Sequence, residues 1–449
     1  MTAIDRLLCG LVLAISLYAF DDLALSTLLP SVAAELRGDG LYGASFLAFL
    51  LCNLASLVVA GYWIDRVGVA RPFACSIAVF ILGLLLAIAA PSMAVFVLGR
   101  GLQGLGGGGI QAVVNAVIVI AWQGAARQRA ISWATTSWMV PALAGPLLAG
   151  WMATHGRWRE VFVVLMMLAL LTLALVLPRL PRVVTTRVDR APSAALSLRA
   201  VRDALGVALG TGIALFGLDI GGVRGLAVVA AGGAILWRPL AASLPRDFWA
   251  ARSTLAAALL FRLIAFAVFF GTEAWLPWTA QRAGLATPVV AGFILSASTS
   301  GWTLATWWVE RVLARVGALV LLWVASLLLL AGSGLACLTL IHYANIALAC
   351  AAWTLAGLGM GLCYPVVASL AMAASESGRE GQLSMMMGLT DTLGITAAIG
   401  IGGAILRADE SGALARMVGV WQGYVVLALA MPALLWWRRA CFDVGPGAS

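Results

Sequence analysis

The chain contains no lysine; all 28 residues counted as lysine or arginine are arginine. That absence excludes the lysine of a phosphate-cradling loop, and so an ATP-driven pump of that type, and it excludes a lysine Schiff base. Charge of either sign is scarce, at 10% of residues against 63% hydrophobic, which is too apolar for a soluble fold of 449 residues. Histidine is almost missing. His155 and His342 fall in loops without companions, so the sequence offers neither a metal site nor a catalytic triad, and an enzyme is not expected. The seven cysteines form no CxxC pair. Six of them (Cys9, Cys52, Cys75, Cys337, Cys350, Cys363) sit in apolar runs and read as small core residues, with Cys441 in the tail.

What remains is a succession of apolar runs of about 20 residues, the length that crosses a bilayer core of roughly 30 Å. In hydrocarbon the backbone must satisfy its own polar groups, so such runs are helices. The first run continues to Pro30 and carries Asp21 and Asp22, which favours an uncleaved helix over a signal peptide. The pattern predicts helices over 7–30, 41–61, 72–91, 95–120, 131–153 and 160–178, then over 255–280, 288–309, 317–340, 345–372, 383–406 and 417–437. Two shorter runs, 204–220 and 225–237, lie between the halves. They read as a thin transmembrane hairpin giving fourteen segments; a surface-lying hairpin giving twelve is the alternative. The organisation expected is a first bundle over 1–178, a linker over 179–203, the hairpin over 204–238, a linker over 239–254, a second bundle over 255–437 and a tail over 438–449.

The halves echo one another. Trp63-Ile64-Asp65-Arg66-Val67 returns as Trp308-Val309-Glu310-Arg311-Val312, 245 residues later. Gly104-Leu105-Gly106 with Gly108 returns as Gly357-Leu358-Gly359 with Gly361, 253 residues later. Two echoes in one order point to an internal duplication of a helical membrane unit. The arginines supply an orientation. With the N-terminus inside, most of them, including Arg66, Arg71, Arg127, Arg129, Arg179, Arg182, Arg311, Arg438 and Arg439, fall on the cytoplasmic side.

Charges inside the runs are the functional candidates, because a charge at the bilayer centre costs roughly 2.5–3.5 kcal/mol or more and needs a partner or a cavity. They are Asp21 and Asp22 in the first helix, Arg100 in the fourth, Glu273 in the first helix of the second half, and Asp391 within 383–406. Arg100 is expected to pair with Asp21 or Asp22, and Glu273 to be a second protonatable group; a static ion pair that locks helices fits the same residues. Arg262, near the end of its helix, reads as an interfacial arginine that snorkels. Asn53, Gln111 and Asn115 are intramembrane amides that suit either a transport path or interhelical hydrogen bonds. Trp275, Trp278, Trp302, Trp307 and Trp308 suit a lipophilic surface or, for most of them, an interfacial belt. The glycines 104 and 106–109 favour close helix packing, and Pro141, Gly145, Pro146 and Gly150 a bent, tightly packed fifth helix.

Four of these stretches resemble motifs of the major facilitator superfamily, and within it the drug:proton antiporters. Gly61-x-x-x-Asp65-Arg66-x-Gly68, with Arg71, is similar to the loop motif between helices two and three. Arg100-x-x-Gln103-Gly104 is similar to the helix-four motif. Pro141 with Gly145-Pro146 and Gly150 is similar to the helix-five motif, and Asp21 with Pro30 to the first-helix motif of fourteen-span exporters. The resemblance implies an all-α integral membrane protein of two six-helix bundles in pseudo-two-fold arrangement, rocking about a central cavity, with two extra short segments between them. It further implies a conformational latch at Gly61, Asp65, Arg66, Gly68 and Arg71, echoed at Glu310 and Arg311. Proton coupling would fall to Asp21, Asp22, Arg100, Glu273 and Asp391, and the cavity would be lined by Asn53, Asn115, Trp275 and Trp278. A proton-coupled multidrug exporter of a bacterial inner membrane follows, needing no cofactor beyond the proton gradient and no partner beyond substrate and bilayer, and working as a monomer. An uptake transporter or flippase is the alternative.

Overall fold

The computed structural model describes residues 3–122, 126, 129–130, 133–134, 136–180, 198–220, 222–338, 345–374, 380–407 and 413–442. Among these residues the chain is helical, without strands. Six helices make up the first half: α1 Ala3–Glu35, α2 Tyr42–Val67, α3 Ala70–Ala89, α4 Met93–Ala121, α5 Met139–Thr154 and α6 Trp158–Val176. A hairpin, α7 Leu198–Ile220 and α8 Gly222–Ser243, follows. The second half contains α9 Thr254–Arg282, α10 Pro288–Val316, α11 Ala318–Leu338, α12 Ile346–Ala373, α13 Glu380–Arg407, α14 Ala413–Trp437 and the short α15 Arg439–Phe442. Among the described residues twelve helices are long and apolar enough to cross a membrane. α4, of 29 residues, runs unbroken through Arg100, and the apolar α5 is shorter, at 16 residues.

The hairpin is longer than its apolar runs suggest. α7 has 23 residues and α8 has 22, and both count among the twelve candidate spans. Arg199, Arg202 and Arg238 continue the helices instead of ending them, because arginine is a good helix former whose stem lies along apolar surface. Glycines let the two helices close on each other. A Cβ at Gly210 would stand 2.7 Å from the Leu236 nitrogen, and one at Gly232 would strike the Ala214 backbone.

The chain divides into two compact units, one of Met1–Ala214 with Val228–Pro239, the other of Leu215–Ala227 with Leu240–Ser449. In the first, α4 packs between α2 and α3, α1 packs on α5 and α6, α3 meets α6, and α1 meets α4. In the second, α12 packs between α10 and α11, α9 packs on α13 and α14, α11 meets α14, and α9 meets α12. The same pairing order in both units is the duplication written in three dimensions. Its register is set by glycine. A Cβ on Gly104, Gly106 or Gly108 would run into the backbone of Phe49, of Ser76 and Phe80, or of Asn53, respectively. A Cβ on Gly357, Gly359 or Gly361 would run into that of Ser298, of Ala325 and Leu329, or of Trp302. Small residues here bring backbones together where no side chain fits.

This register corrects two readings. The glycine contacts equate Phe49 with Ser298 and Asn53 with Trp302, a separation of 249 residues. The turn glycines Gly68 (φ 79°) and Gly317 (φ 80°) agree with that separation. The sequence echo at 245 is therefore out by four residues, about one helical turn, which keeps the same helix face and so mimics equivalence. Glu310 and Arg311 sit one turn earlier than Asp65 and Arg66, relative to the glycine that stops each helix. Secondly, the charged stretch from Gly61 to Val67 belongs to α2, and Trp308–Val316 to α10; the connection is only Gly68 and Val69. Nothing in these stretches breaks a helix until the glycine. α1 likewise passes through Pro30 to Glu35, where Glu35 accepts from the Trp158 indole at 2.6 Å and pairs with Arg159.

Candidate functional site

Asp21 and Asp22 are adjacent on α1, so they point about 100° apart and only one can address α4. It is Asp21. Its side chain and that of Arg100 are both buried, and Arg100 Nη1 donates to Oδ1 at 2.9 Å and Oδ2 at 2.8 Å. Gln103, one turn on from Arg100, accepts from the same Nη1 through its Oε1. The guanidinium lies 4.3 Å from the centroid of the Phe49 ring, Tyr18 stacks on Phe49 at 5.8 Å, and Trp138 meets Tyr18 edge-on. Arg100 Nε and Nη2, Gln103 Nε2 and Asn53 Nδ2 are buried without hydrogen-bond partners among the described residues. The cluster thus has donors to spare. Asp22 is half-buried and forms no ion pair among the described residues, and Asn115 is exposed.

The second unit holds a different pair. Arg262 is buried, not snorkelling: its Nε donates to Asp391 Oδ1 at 2.5 Å and its Nη2 to Oδ2 at 2.7 Å. This two-pronged fork joins α9 to α13 and matches the planar geometry of guanidinium and carboxylate. A long cationic side chain near a helix end reads as interfacial only while its partner, 129 residues away, is unseen. The helix-four register places Trp353 where the first unit has Arg100, and Trp353 is fully buried and stacked on Phe269. The charge of one unit is thus replaced by an aromatic core in the other. Glu273 is buried on α9. Trp275 and Trp278 are buried against each other, edge to face at 6.2 Å, while Trp307 and Trp308 are exposed as a lipid-facing belt requires.

The remaining predicted residues are more dispersed. Arg66 and Arg71 are exposed at the α2–α3 turn, with Arg66 lying 4.2 Å over the Tyr62 ring, and Gly61 is half-buried. The side chains of Asp65 and Glu310 lie outside the described residues, as does His342. Arg311 lies over Trp308. Pro141, Gly145, Pro146 and Gly150 are buried on α5, and Gly145 approaches Phe20 and Ala24 of α1 at ordinary contact distance. Of the cysteines read as core, Cys337 and Cys363 are buried, but Cys9 and Cys75 are exposed on helix flanks, where apolar runs face outward as readily as inward. No cluster of potential metal ligands occurs among the described residues. Tyr18, Phe49 and the fork partner of Asp391 escaped the sequence reading. The spacing Arg262, Phe266, Phe269, Glu273 puts one cation, two rings and an acid on a single helical face, a signal that was available.

Comparison with known proteins agrees with this architecture. A protein of Mycobacterium tuberculosis (strain ATCC 25618 / H37Rv) named as a multidrug-efflux transporter is 27% identical over 442 residues, covering 93% of this chain and 90% of its own length. The multidrug resistance protein MdtD of Pectobacterium atrosepticum is 27% identical over 145 residues, 32% of this chain and 31% of that protein. Among solved structures, the POT family transporter PepTSo superposes with a TM-score of 0.70 at 14% identity, covering 97% of this chain and 98% of that one. The xylose transporter XylE from E. coli gives 0.63 at 13% identity, covering 97% and 99%. At such identities the structures speak for the fold alone. The sequence pattern of the Major Facilitator Superfamily matches residues 11–399, and with two sets of six helices in the same pairing order among the described residues this chain, a multi-pass membrane protein, belongs to that superfamily.

Proposed function

We propose that the protein exports lipophilic or amphiphilic small molecules by proton-coupled antiport through alternating access. The buried Arg100–Asp21 pair carries this reading. A guanidinium stays charged at any physiological pH, whereas a carboxylate can take a proton. Protonating Asp21 therefore removes the charge that anchors Arg100 across α1 and α4, and deprotonating it restores the anchor. Proton occupancy becomes a mechanical state. Glu273 and Asp22 are the further acids of the path, and Asn53, Asn115, Trp275 and Trp278 the substrate contacts. The turn at Gly61, Asp65, Arg66, Gly68 and Arg71, with Glu310 and Arg311, restrains one conformation. The names of the mycobacterial relative and of MdtD support efflux as the direction. The arginine distribution supports an N-terminus inside a bacterial cytoplasmic membrane. The proton gradient is the energy source, no cofactor takes part, and the monomer is the working unit.

Inside-out vesicles energised to be acid inside provide the test. A panel of lipophilic cations and neutral drugs is added to vesicles carrying wild type, Asp21→Asn or Glu273→Gln. Dissipation of the gradient by a compound in wild type, abolished in a variant, supports antiport and locates the coupling acid. If no compound discharges the gradient while a labelled solute or lipid still crosses, the protein is an uptake transporter or a flippase and the acids are structural or substrate ligands.

A further inference from the structure

The second unit contains a closed ring of four aromatic side chains that the coupling argument does not use. Phe266 and Phe270, one turn apart on α9, have centroids 5.3 Å apart. Phe270 meets Trp302 of α10 at 6.2 Å, Trp302 meets Tyr364 of α12 at 5.9 Å, and Tyr364 returns to Phe266 at 6.1 Å. Behind them Phe269 and Trp353 stack almost parallel, both buried, and back the ring with rigid core. The front is open. Phe270 and Trp302 are half-buried and Tyr364 is 40% exposed. Aromatic side chains that only fill a core close over one another; these four leave a mouth.

One corner of the ring holds the Arg262–Asp391 fork. The guanidinium lies 4.5 Å from the Tyr364 centroid and 5.0 Å from that of Phe266, so the ring already holds a cation against two of its faces. The Arg262 side chain is 5% exposed and that of Asp391 18%, so the carboxylate and not the guanidinium reaches the opening. Each carboxylate oxygen accepts one bond from Arg262, and each has a second lone pair available. Electron-rich ring faces beside a carboxylate attract a cation and repel an anion. The convergence also argues against a lipid-facing surface, because four helices, α9, α10, α12 and α13, contribute to one point. A carboxylate there would be costly in hydrocarbon.

We infer that Phe266, Phe270, Trp302 and Tyr364, with Asp391 as counter-charge, form the recognition site for the charged end of an organic cation, a quaternary or protonated amine or a phosphonium. Arg262 orients the carboxylate through its two-pronged fork. The inference rests on the transport reading only in treating the bound cation as cargo, and recognition is tested at equilibrium without any gradient.

The probe is labelled tetraphenylphosphonium, bound to the purified full-length protein in lipid nanodiscs. It is set against tetraphenylborate, an anion of the same size and shape. The phosphonium is expected to bind saturably and the borate at least about tenfold more weakly. Trp302→Ala and Tyr364→Ala should each weaken phosphonium binding about tenfold, whereas Tyr364→Phe, which keeps the ring, should stay within about threefold. Asp391→Asn should erase the preference for the cation. Since that change strands Arg262, the double variant Asp391→Asn/Arg262→Gln is measured beside it, and melting temperatures confirm that each variant is folded. Absence of saturable phosphonium binding, borate binding as tight as phosphonium binding, or wild-type affinity in folded Trp302→Ala and Tyr364→Ala overturns the assignment. A cation that binds here yet discharges no gradient leaves the site standing and removes the antiport reading; discharge without binding here does the reverse.

Discussion

The Arg100–Asp21 pair can hold the fold, serve transport or do both, and the two roles can be separated. Arg100→Ala leaves a buried carboxylate without its partner and should destabilise the protein by about 3–5 kcal/mol, read as a fall in melting temperature. The double variant Arg100→Gln/Asp21→Asn removes both charges, and most of that stability should return while gradient-driven efflux does not. Recovery of transport along with stability would reduce the pair to a structural lock. Glycine offers a second contrast. Gly104→Ala and Gly357→Ala push a methyl into the Phe49 and Ser298 carbonyls and should each cost about 1–3 kcal/mol. Gly145→Ala meets only contacts of 3.8 Å and beyond and should stay within about 0.5 kcal/mol of wild type in a thermal melt. Outside the spans, burial raises the Asp247 carboxyl, but hydrogen bonds from Ser253, one from its amide at 2.7 Å, and the nearby Arg252 outweigh it and hold the group below its usual range. A depressed carboxyl contributes stability above its unfolded value of about 3.9 and loses it as pH falls through the folded one. Asp247→Asn should therefore melt lower than wild type at neutral pH and converge with it in acid.

Helix existence was legible from apolar runs of bilayer length, and most predicted boundaries fall within a few residues of those observed, because hydrocarbon leaves the backbone no alternative. Several of the failures share one cause. Polar residues were read as ends of helices, yet only a backbone event ends one. Arg66 and Arg311 sit inside helices that stop at Gly68 and Gly317, whose φ of 79° and 80° with nearly extended ψ belong to a region essentially reserved for glycine. Gly68→Ala and Gly317→Ala should each cost about 1–3 kcal/mol in melting experiments. Of the candidate site, sequence supplied the charges and narrowed the partner of Arg100 to two acids, but did not pair Arg262 with Asp391. Adjacent Asp21 and Asp22 are equivalent until α4 selects one, and Arg262 finds its acid on a helix four elements away. The aromatic ring draws on three helices, so no window of sequence contains it.

Across the whole chain, each unit repeats one division. α4 lies backbone to backbone with α2 on one face, through Gly104 and Gly108, and with α3 on another, through Gly106. The trio α10, α12 and α11 repeats the arrangement through Gly357, Gly361 and Gly359. Such contacts leave no side chains to rearrange, which stiffens each trio; α1, α5 and α6 join through side chains that can change rotamer, whereas in the second unit Gly394 also sets α13 against the α9 backbone at Leu263. Amide hydrogen exchange should follow this line in the first unit, with deuterium entering α1, α5 and α6 before the glycine-packed α2, α3 and α4; uniform protection across that unit would contradict it. The Arg100–Asp21 contact then acquires a further meaning. It is a joint between the stiff body and the compliant one, so under the antiport proposed above a single proton arriving on α1 would alter how strongly three helices are coupled to the other three.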